Sequence, residues 1–254
     1  MENKINVVIV SDCVDVAYNE MRRKILNECE KLGNYNVNVE PLVPTKEFSI
    51  INGAFLTRLM AEVYPPGTIF MVILNPSKER PARIFGETLS GHIFEGANTG
   101  TLNWLIKDLG LKSLYEIKDP GFFPFGGKYV HAPTVAKISS GVPFEEYGDK
   151  RYSDFLVDFP IEDGTVVQID NFGLMKIYGK APQYEDEKKL RIYINGKESI
   201  EGIYTKRMMS HDDNVWALYP GSSLDMLELG KVRCKTGANE LGIKIGDKIT
   251  WETI

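Results

Sequence analysis

The sequence lacks the marks of several protein classes. It has only three cysteines in 254 residues, Cys13, Cys29 and Cys234. Their odd number and wide spacing predict neither a disulfide framework nor a zinc site. The formal net charge of −5 is spread along the chain without a run of Lys and Arg, which argues against a nucleic-acid partner. We therefore expect a cytoplasmic protein that binds a small molecule and no metal.

Long apolar runs are also absent. No stretch approaches the roughly 20 apolar residues that a membrane-spanning helix needs. The opening residues, MENKINVVIVSD, place a short apolar run before an acid. This pattern is typical of a buried strand rather than of a signal peptide, so no membrane partner is expected.

The first part of the chain alternates between strand and helix patterns. Strands are predicted at residues 5–11, 37–42 and 69–74, and helices at 17–32 and 50–63, with turn residues between them. Such alternation indicates a mostly parallel sheet with helices on both faces. We assign residues 1–158 to this α/β domain.

From about residue 160 the pattern changes to short alternating runs separated by Gly, Asn and Asp. Six strands are predicted, at 166–169, 174–178, 190–195, 202–208, 215–219 and 225–229. Strands of this length and spacing indicate a small all-β sandwich or barrel, and we assign residues 159–254 to this domain. The charged segment 184–191 is interpreted as a solvated loop.

Asp12 is a candidate ligand residue because of its position. It directly follows the first predicted strand, and ligands of open α/β sheets bind beyond the carboxyl ends of the strands. A carboxylate there can accept hydrogen bonds from both hydroxyls of a ribose. It can equally cap the following helix, and position alone favours neither.

Several segments carry a family resemblance, namely SDCVDVAYNEMRRKI (11–25), the stretch from VPTKEFSIINGAF to FMVIL (43–74), GHIFEGANTG (91–100), HAPTVAKISSGVPFEEYG (131–148), VVQIDNFGLMKI (166–177) and YPGSSLDMLELGKVRCKTGANELGIKIGDKITWE (219–252). In order and spacing the chain resembles the S-adenosylmethionine (SAM) hydroxide adenosyltransferases, the family that also includes the SAM fluorinases and chlorinases. The resemblance runs from about residue 7 to residue 252.

The resemblance implies a set of ligand-binding residues, namely Asp12, Phe48, Asp170, Phe172, Ser222 and Ser223. In the family, the matching groups hold the ribose diol, pack on the adenosyl group, and hold the methionine ammonium and its surroundings. Structural alternatives are a core phenylalanine, a turn aspartate and two loop serines. The family's adenine-contacting Asn is Leu174 here.

The family's catalytic set is altered. Its hydrolytic members use Asp, Arg and His to position and activate water, and the matching Asp is Asn75 in this chain, while the His position is Gly126. The Arg is either Arg80 or Arg83. An amide has no useful basicity, so Asn75 could orient a water without taking its proton.

Two histidines are candidates to replace the missing His. His92 and His131 lie near apolar segments, where a lone His is more often structural. The pair Gly126 and Gly127 is alternatively a halide-binding feature, as in the halogenases, or an ordinary turn.

The resemblance implies substitution at the 5′ carbon of SAM, with water as the default nucleophile and adenosine and L-methionine as products. It also implies a homotrimer with sites between subunits, and no cofactor beyond SAM. The alternatives are a SAM or adenosine binding protein without activity, acting as a sensor or scaffold, and a SAM-dependent halogenase.

Overall fold

The computed structural model describes residues 4–74, 80–118 and 121–254. The chain forms two compact units that divide between Phe159 and Pro160.

The N-terminal unit is an α/β domain with eight strands and five α-helices in its described part. In chain order its elements are β1 Ile5–Ser11, α1 Val16–Lys31, β2 Val37–Val39, β3 Val43–Pro44, α2 Ile50–Val63, β4 Ile69–Ile73, β5 Arg83–Thr88, β6 Ile93–Ala97, α3 Asn103–Leu109, β7 Leu111–Ile117, α4 Ala132–Ser139, α5 Phe144–Tyr147 and β8 Gly148–Arg151. A π-helical segment, Gly127–His131, leads directly into α4.

One sheet runs through this unit in the order β2-β1-β4-β6-β5-β7-β8, and β3 also pairs with β1. The pairs among β1, β2, β3, β4 and β6 are parallel, whereas β5, β7 and β8 extend the sheet with antiparallel pairs. The predicted α/β class with a mostly parallel sheet is confirmed. The antiparallel extension was not predicted.

The core of the N-terminal unit follows from the uninterrupted apolar character of its central strands. Val7 and Ile9 of β1 belong to a cluster that includes Met21 and Ile25 of α1 and also residues of α4. Because side chains alternate along a strand, Val8, which is equally buried, points to the opposite face. The strand is therefore buried on both faces, as parallel strands usually are.

The C-terminal unit is a curled β sheet. Its elements are β9 Val166–Ile169, β10 Met175–Lys180, β11 Lys188–Ile194, β12 Glu198–Tyr204, β13 Trp216–Pro220, β14 Met226–Lys231, α6 Gly237–Glu240 and β15 Ile249–Thr253. The strand order is β15-β11-β12-β13-β14-β10-β9. The predicted all-β barrel class is confirmed.

The two edges of this sheet meet. Thr165, beside β9, forms an antiparallel bridge with Lys248, beside β15. The backbone N–H of Val166 also donates to the carbonyl of Asp247 at 2.8 Å, and that of Ile249 donates to Gly164 at 2.8 Å. The apolar residues that alternate along these strands fill the interior.

Two predictions in this unit were wrong in their bounds. The run 202–208 was predicted as a strand, but β12 ends at Tyr204 and Met208–Ser210 forms a 3-10 turn. The charged segment 184–191 was predicted as a loop, but β11 already begins at Lys188. Lys188 and Lys189 are exposed, so their charge is compatible with a strand position that faces solvent.

Candidate functional site

Asp12 lies at the carboxyl end of β1 and is half-buried. Its Oδ2 accepts a hydrogen bond of 2.9 Å from the backbone N–H of Phe48. It does not cap α1, because the N-cap is Asp15, whose side chain accepts from the backbone N–H groups of Val16 and Ala17. The helix-cap alternative for Asp12 was therefore wrong, and its carboxylate is left at the edge of the sheet.

Phe48 is presented to solvent by its loop. Its φ of 58° is in the left-handed region, which a bulky residue adopts at a cost. Its side chain is 65% exposed, so the alternative of a core phenylalanine was wrong. The hydrogen bond to Asp12 and the N-cap of α2 at Ser49, which accepts from Asn52, fix the loop on both sides of the ring.

The structure separates the two candidate arginines. Arg80 is exposed and donates from Nη2 to the carbonyl of Gly121 at 2.8 Å. Arg83 begins β5, and a Cβ atom built on Gly126 would lie 3.0 Å from its Nη2. Arg83 therefore lies beside the position where the resemblance places the family His, whereas Arg80 contacts Gly121, five residues earlier in the same connection. Asn75 lies outside the described residues.

A buried carboxylate and imidazole lie beside the same glycine. Nδ1 of His131 is 2.5 Å from Oε1 of Glu95, and Glu95 is completely buried. Cδ2 of the His131 ring is 3.8 Å from the Cβ position of Gly126. The neighbourhood of Gly126 thus contains a guanidinium and a carboxylate-bound imidazole, although glycine itself brings no side chain.

His92 has a structural environment. Its Nδ1 is 3.0 Å from Oγ of Ser90 and its Nε2 is 3.1 Å from the carbonyl of Tyr64. Both ring nitrogens are occupied, so the ring has no nitrogen left for a ligand.

Asp170 and Phe172 lie in the turn between β9 and β10. Oδ1 of Asp170 accepts hydrogen bonds from the backbone N–H groups of Phe172, at 2.8 Å, and Leu174, at 3.0 Å. The aspartate therefore shapes its turn, while its second carboxylate oxygen makes no hydrogen bond to the part of the chain described. The Phe172 ring is 51% exposed and lies 5.8 Å from Nζ of Lys235.

The serine pair lies in the turn between β13 and β14, with Ser222 exposed and Ser223 buried. In the β10–β14 ladder, Met175 pairs with Leu229, while Lys180 pairs with Met226. The register thus puts the Asp170 turn and the serine turn at opposite ends of this ladder. Their joint role at the methionine end of a ligand stays a prediction.

A polar cluster in the barrel was missed by the sequence analysis. Lys176 and Glu228 form an ion pair with side chains only 14% and 7% exposed, and Tyr219 donates to Oε2 of Glu228 at 2.8 Å. Burial raises the pKa of Tyr219 well above its ordinary value, and the charges of Glu228 and Asp170 add to this shift. Finding this cluster requires knowing which residues of neighbouring strands lie opposite one another, and the sequence alone does not give that register.

Residues 4–74, 80–118 and 121–254 contain neither a cluster of metal ligands nor a membrane-spanning helix. In these ranges no three or more His, Cys, Asp or Glu residues are grouped as metal ligands. None of the helices there is long and apolar enough to cross a membrane.

The sequence was compared with known families once this geometry was in hand. The N-terminal domain model of the SAM hydroxide adenosyltransferases matches residues 7–148, more than half of the chain. The chain belongs to this family. The match covers the strands and loops that carry Asp12, Phe48, Arg83, Glu95 and His131.

This adenosyltransferase family member is similar to one curated protein in sequence and to two solved structures in fold. The chain is 26% identical over 192 residues to the (R)-S-adenosyl-L-methionine hydrolase of Methanocaldococcus jannaschii, covering 72% of this chain and 70% of the relative. Its fold is similar to that of an uncharacterized conserved protein from Thermotoga maritima, with a TM-score of 0.83, 18% identity and coverage of 97% and 100% of the two chains. A conserved hypothetical protein from Thermus thermophilus matches with a TM-score of 0.77, 16% identity and coverage of 98% and 100%.

Proposed function

We propose that this protein catalyses nucleophilic substitution at the 5′ carbon of SAM, with water as the nucleophile and adenosine and L-methionine as products. Water attacks the carbon, the C5′–S bond breaks with its electron pair on sulfur, and methionine leaves as a neutral thioether. One proton of the water is released. Because the leaving group needs no acid, the protein's task is to align and desolvate the water and accept its proton.

The observation that carries this proposal is the pairing of Asp12 with the backbone of Phe48 at the carboxyl end of β1. One carboxylate oxygen, Oδ2, fixes the loop, while Oδ1 lies 3.8 Å from the Cys13 thiol, a weak donor, and is proposed to accept from a ribose hydroxyl. The exposed ring beside it offers a flat apolar surface to the nucleoside. Family membership and the hydrolase relative support SAM as the ligand.

The remaining parts of the proposal follow from the family. Asp170 and Phe172, with Ser222 and Ser223, are proposed to contact the methionine end, in a homotrimer whose sites lie between subunits. Arg83 is proposed to act at the reacting end in preference to Arg80, because it lies beside Gly126. No cofactor beyond SAM is required for this chemistry, and a cytoplasmic location is proposed with it.

A second candidate function is binding of SAM or adenosine without turnover. The observation that favours it is the loss of two family groups, since Asn75 and Gly126 stand at the Asp and His positions. Halogenation is a third candidate, because a halide needs no base. The guanidinium of Arg83 beside Gly126 would attract an anion.

The test is incubation of the purified protein with SAM, in parallel with and without chloride, and separation of the nucleoside products by chromatography with mass detection. Both sulfur epimers of SAM are used, because the M. jannaschii relative is named for the R form. Adenosine is the expected product. Intact SAM bound at one molecule per site would favour the binding function, and a 5′-chlorinated nucleoside would favour halogenation.

A further inference from the structure

We propose that His131, oriented by Glu95, is the general base that takes the proton from the attacking water, an inference that rests on the proposed SAM hydrolysis. His131 would thereby replace the histidine whose family position is Gly126. Neither residue belongs to the Asp, Arg and His set described above for the family.

The burial of Glu95 is the first step of the argument. Glu95 is 0% exposed and is flanked in the sheet by Met71 of β4 and Phe85 of β5, which both belong to the apolar core. A carboxylate in such surroundings costs several kcal/mol unless it is paired. His131 is paired with Oε1, and Oε2 has no hydrogen-bond partner among the residues described. A buried polar atom without a partner calls for an explanation, and a catalytic role is one of the recognised explanations.

The second step is the placement of His131. It is the last residue of the π-helical segment Gly127–His131, and single π-helical turns occur frequently at functional sites. Packing fixes the segment, since a Cβ atom on Gly127 would lie 2.7 Å from Sδ of Met21 in α1. The π-helical turn, rather than a loop, therefore sets the position of the His131 ring.

The third step is the direction of the ring. A carboxylate beside Nδ1 holds the proton on that nitrogen, which leaves a lone pair on Nε2. Nε2 makes no hydrogen bond to the described part of the chain, unlike that of His92. Cδ2, the ring atom bonded to Nε2, lies 3.8 Å from the Cβ position of Gly126, and Nη2 of Arg83 lies 3.0 Å from that same position, so this edge of the ring borders the emptied family position.

These contacts define the proton transfer. As the O–C5′ bond forms and the C5′–S bond breaks, the water proton moves to Nε2 of His131. The imidazolium that results is stabilised by the carboxylate of Glu95, and it later releases the proton to solvent. Glu95 is a positioning residue in this scheme, and His131 is the group that touches the reacting water.

The test compares three histidine variants for SAM hydrolysis. In His131→Asn the amide retains a donor near the place of Nδ1 but lacks the basic Nε2. We expect kcat to fall by about 10²- to 10⁴-fold with little change in KM. The matched control His92→Asn alters a histidine of similar burial and is expected to leave kcat unchanged. Adding Gly126→His to His131→Asn should restore kcat by at least about tenfold, because a new base there would recover part of the roughly 10²- to 10⁴-fold that general-base help contributes.

A second variant covers the case in which His131→Asn does not fold, as judged by circular dichroism and by calorimetric binding of adenosine. Glu95→Gln keeps an acceptor for the imidazole and removes the charge. The charged group beside Gly126 is Arg83 of β5, and Tyr147 of α5, whose pKa is raised mainly by burial, also interacts electrostatically with Glu95. Since a carboxylate favours the imidazolium, its removal should move the acid limb of the kcat/KM profile to lower pH.

The outcomes are separable. A parent protein that forms no adenosine from SAM refutes both the function and this inference. An active parent with an equally active His131→Asn variant, or with an unchanged acid limb in Glu95→Gln, overturns the inference and leaves the function standing. Loss of kcat in His131→Asn with normal adenosine binding supports it.

Discussion

Asp12 and Asp15 share one short loop but differ in what they bind. Asp15 caps α1, whereas Asp12 holds the Phe48 loop and keeps an oxygen at the sheet edge. Only Asp12 was considered as a cap from the sequence, although Asp15 also lies between the strand and helix patterns. Only the backbone geometry separates a capping carboxylate from one that is available to a ligand.

This difference yields a paired prediction. Asp12→Ala is expected to weaken adenosine binding by about tenfold or more, because a hydrogen bond to a charged group contributes about 1.5–3 kcal/mol. Asp15→Ala is the control and is expected to lower the free energy of unfolding by about 0.5–2 kcal/mol without weakening binding. Calorimetric titration and denaturant unfolding measure the two effects. Equal adenosine affinity in Asp12→Ala and the parent would remove the ribose assignment.

The Glu95 and His131 pair shows where residue patterns stop being informative. His131 was named from the sequence as a candidate to replace the missing His, whereas Glu95 only interrupts an apolar run and was not considered. Their contact spans 36 positions and depends on the π-helical turn before α4. Neither the turn nor the pairing has a signature in composition or in hydrophobic period.

At the scale of secondary-structure elements, the barrel carries an ion pair between adjacent strands. Lys176 of β10 lies directly opposite Glu228 of β14, and both are largely buried. Removing one partner of a buried pair leaves the other charge uncompensated, which typically costs about 3–5 kcal/mol.

We therefore predict that Lys176→Met lowers the free energy of unfolding by about 3 kcal/mol or more. Lys176→Met combined with Glu228→Gln should recover at least half of the loss, because the neutral amide still accepts the Tyr219 hydroxyl. Denaturant unfolding of the single and double variants completes the thermodynamic cycle. A loss below about 1 kcal/mol in Lys176→Met would mean that the pair behaves like one in solvent.

The predicted bounds of an element were correct where the local signals in the sequence agreed with one another. The helix predicted at 50–63 has the bounds of α2, Ile50–Val63, because apolar spacing and the Ser49 cap agree. The strands β5, β7 and β8 were missed because their runs carry charges such as Glu87 and Glu116. These strands join the sheet by antiparallel pairing with residues that are distant in sequence. Local residue patterns do not reveal such pairing.

At the scale of the whole molecule, buried tyrosines make the free energy of unfolding depend on pH in the alkaline range. Burial raises the pKa of Tyr147 and of Tyr219 above the ordinary range, and smaller rises occur at Tyr18, Tyr64 and Tyr204. The folded state therefore holds these protons more tightly than the unfolded chain, whose tyrosines ionise near pH ~10. Their contribution to stability is complete below about pH 10 and is lost as the pH rises above it.

The free energy of unfolding should thus fall between about pH 10 and about pH 12, and Tyr147→Phe should make that fall shallower. Urea unfolding at a series of pH values measures both slopes. A stability that does not change over this interval would show that the phenols ionise equally easily in the folded state.

The bridge between Thr165 and Lys248 has a consequence for synthesis on the ribosome. The two residues that close the barrel are far apart in sequence. The β9 strand therefore leaves the ribosome well before β15, and the bridge cannot form until β15 has been synthesised. In that interval the hydrogen-bonding groups at the barrel edges stay unpaired, and exposed edges invite association with other chains. Contacts of such long sequence separation also slow folding. The edges of the barrel therefore stay open to other chains until Lys248 pairs with Thr165.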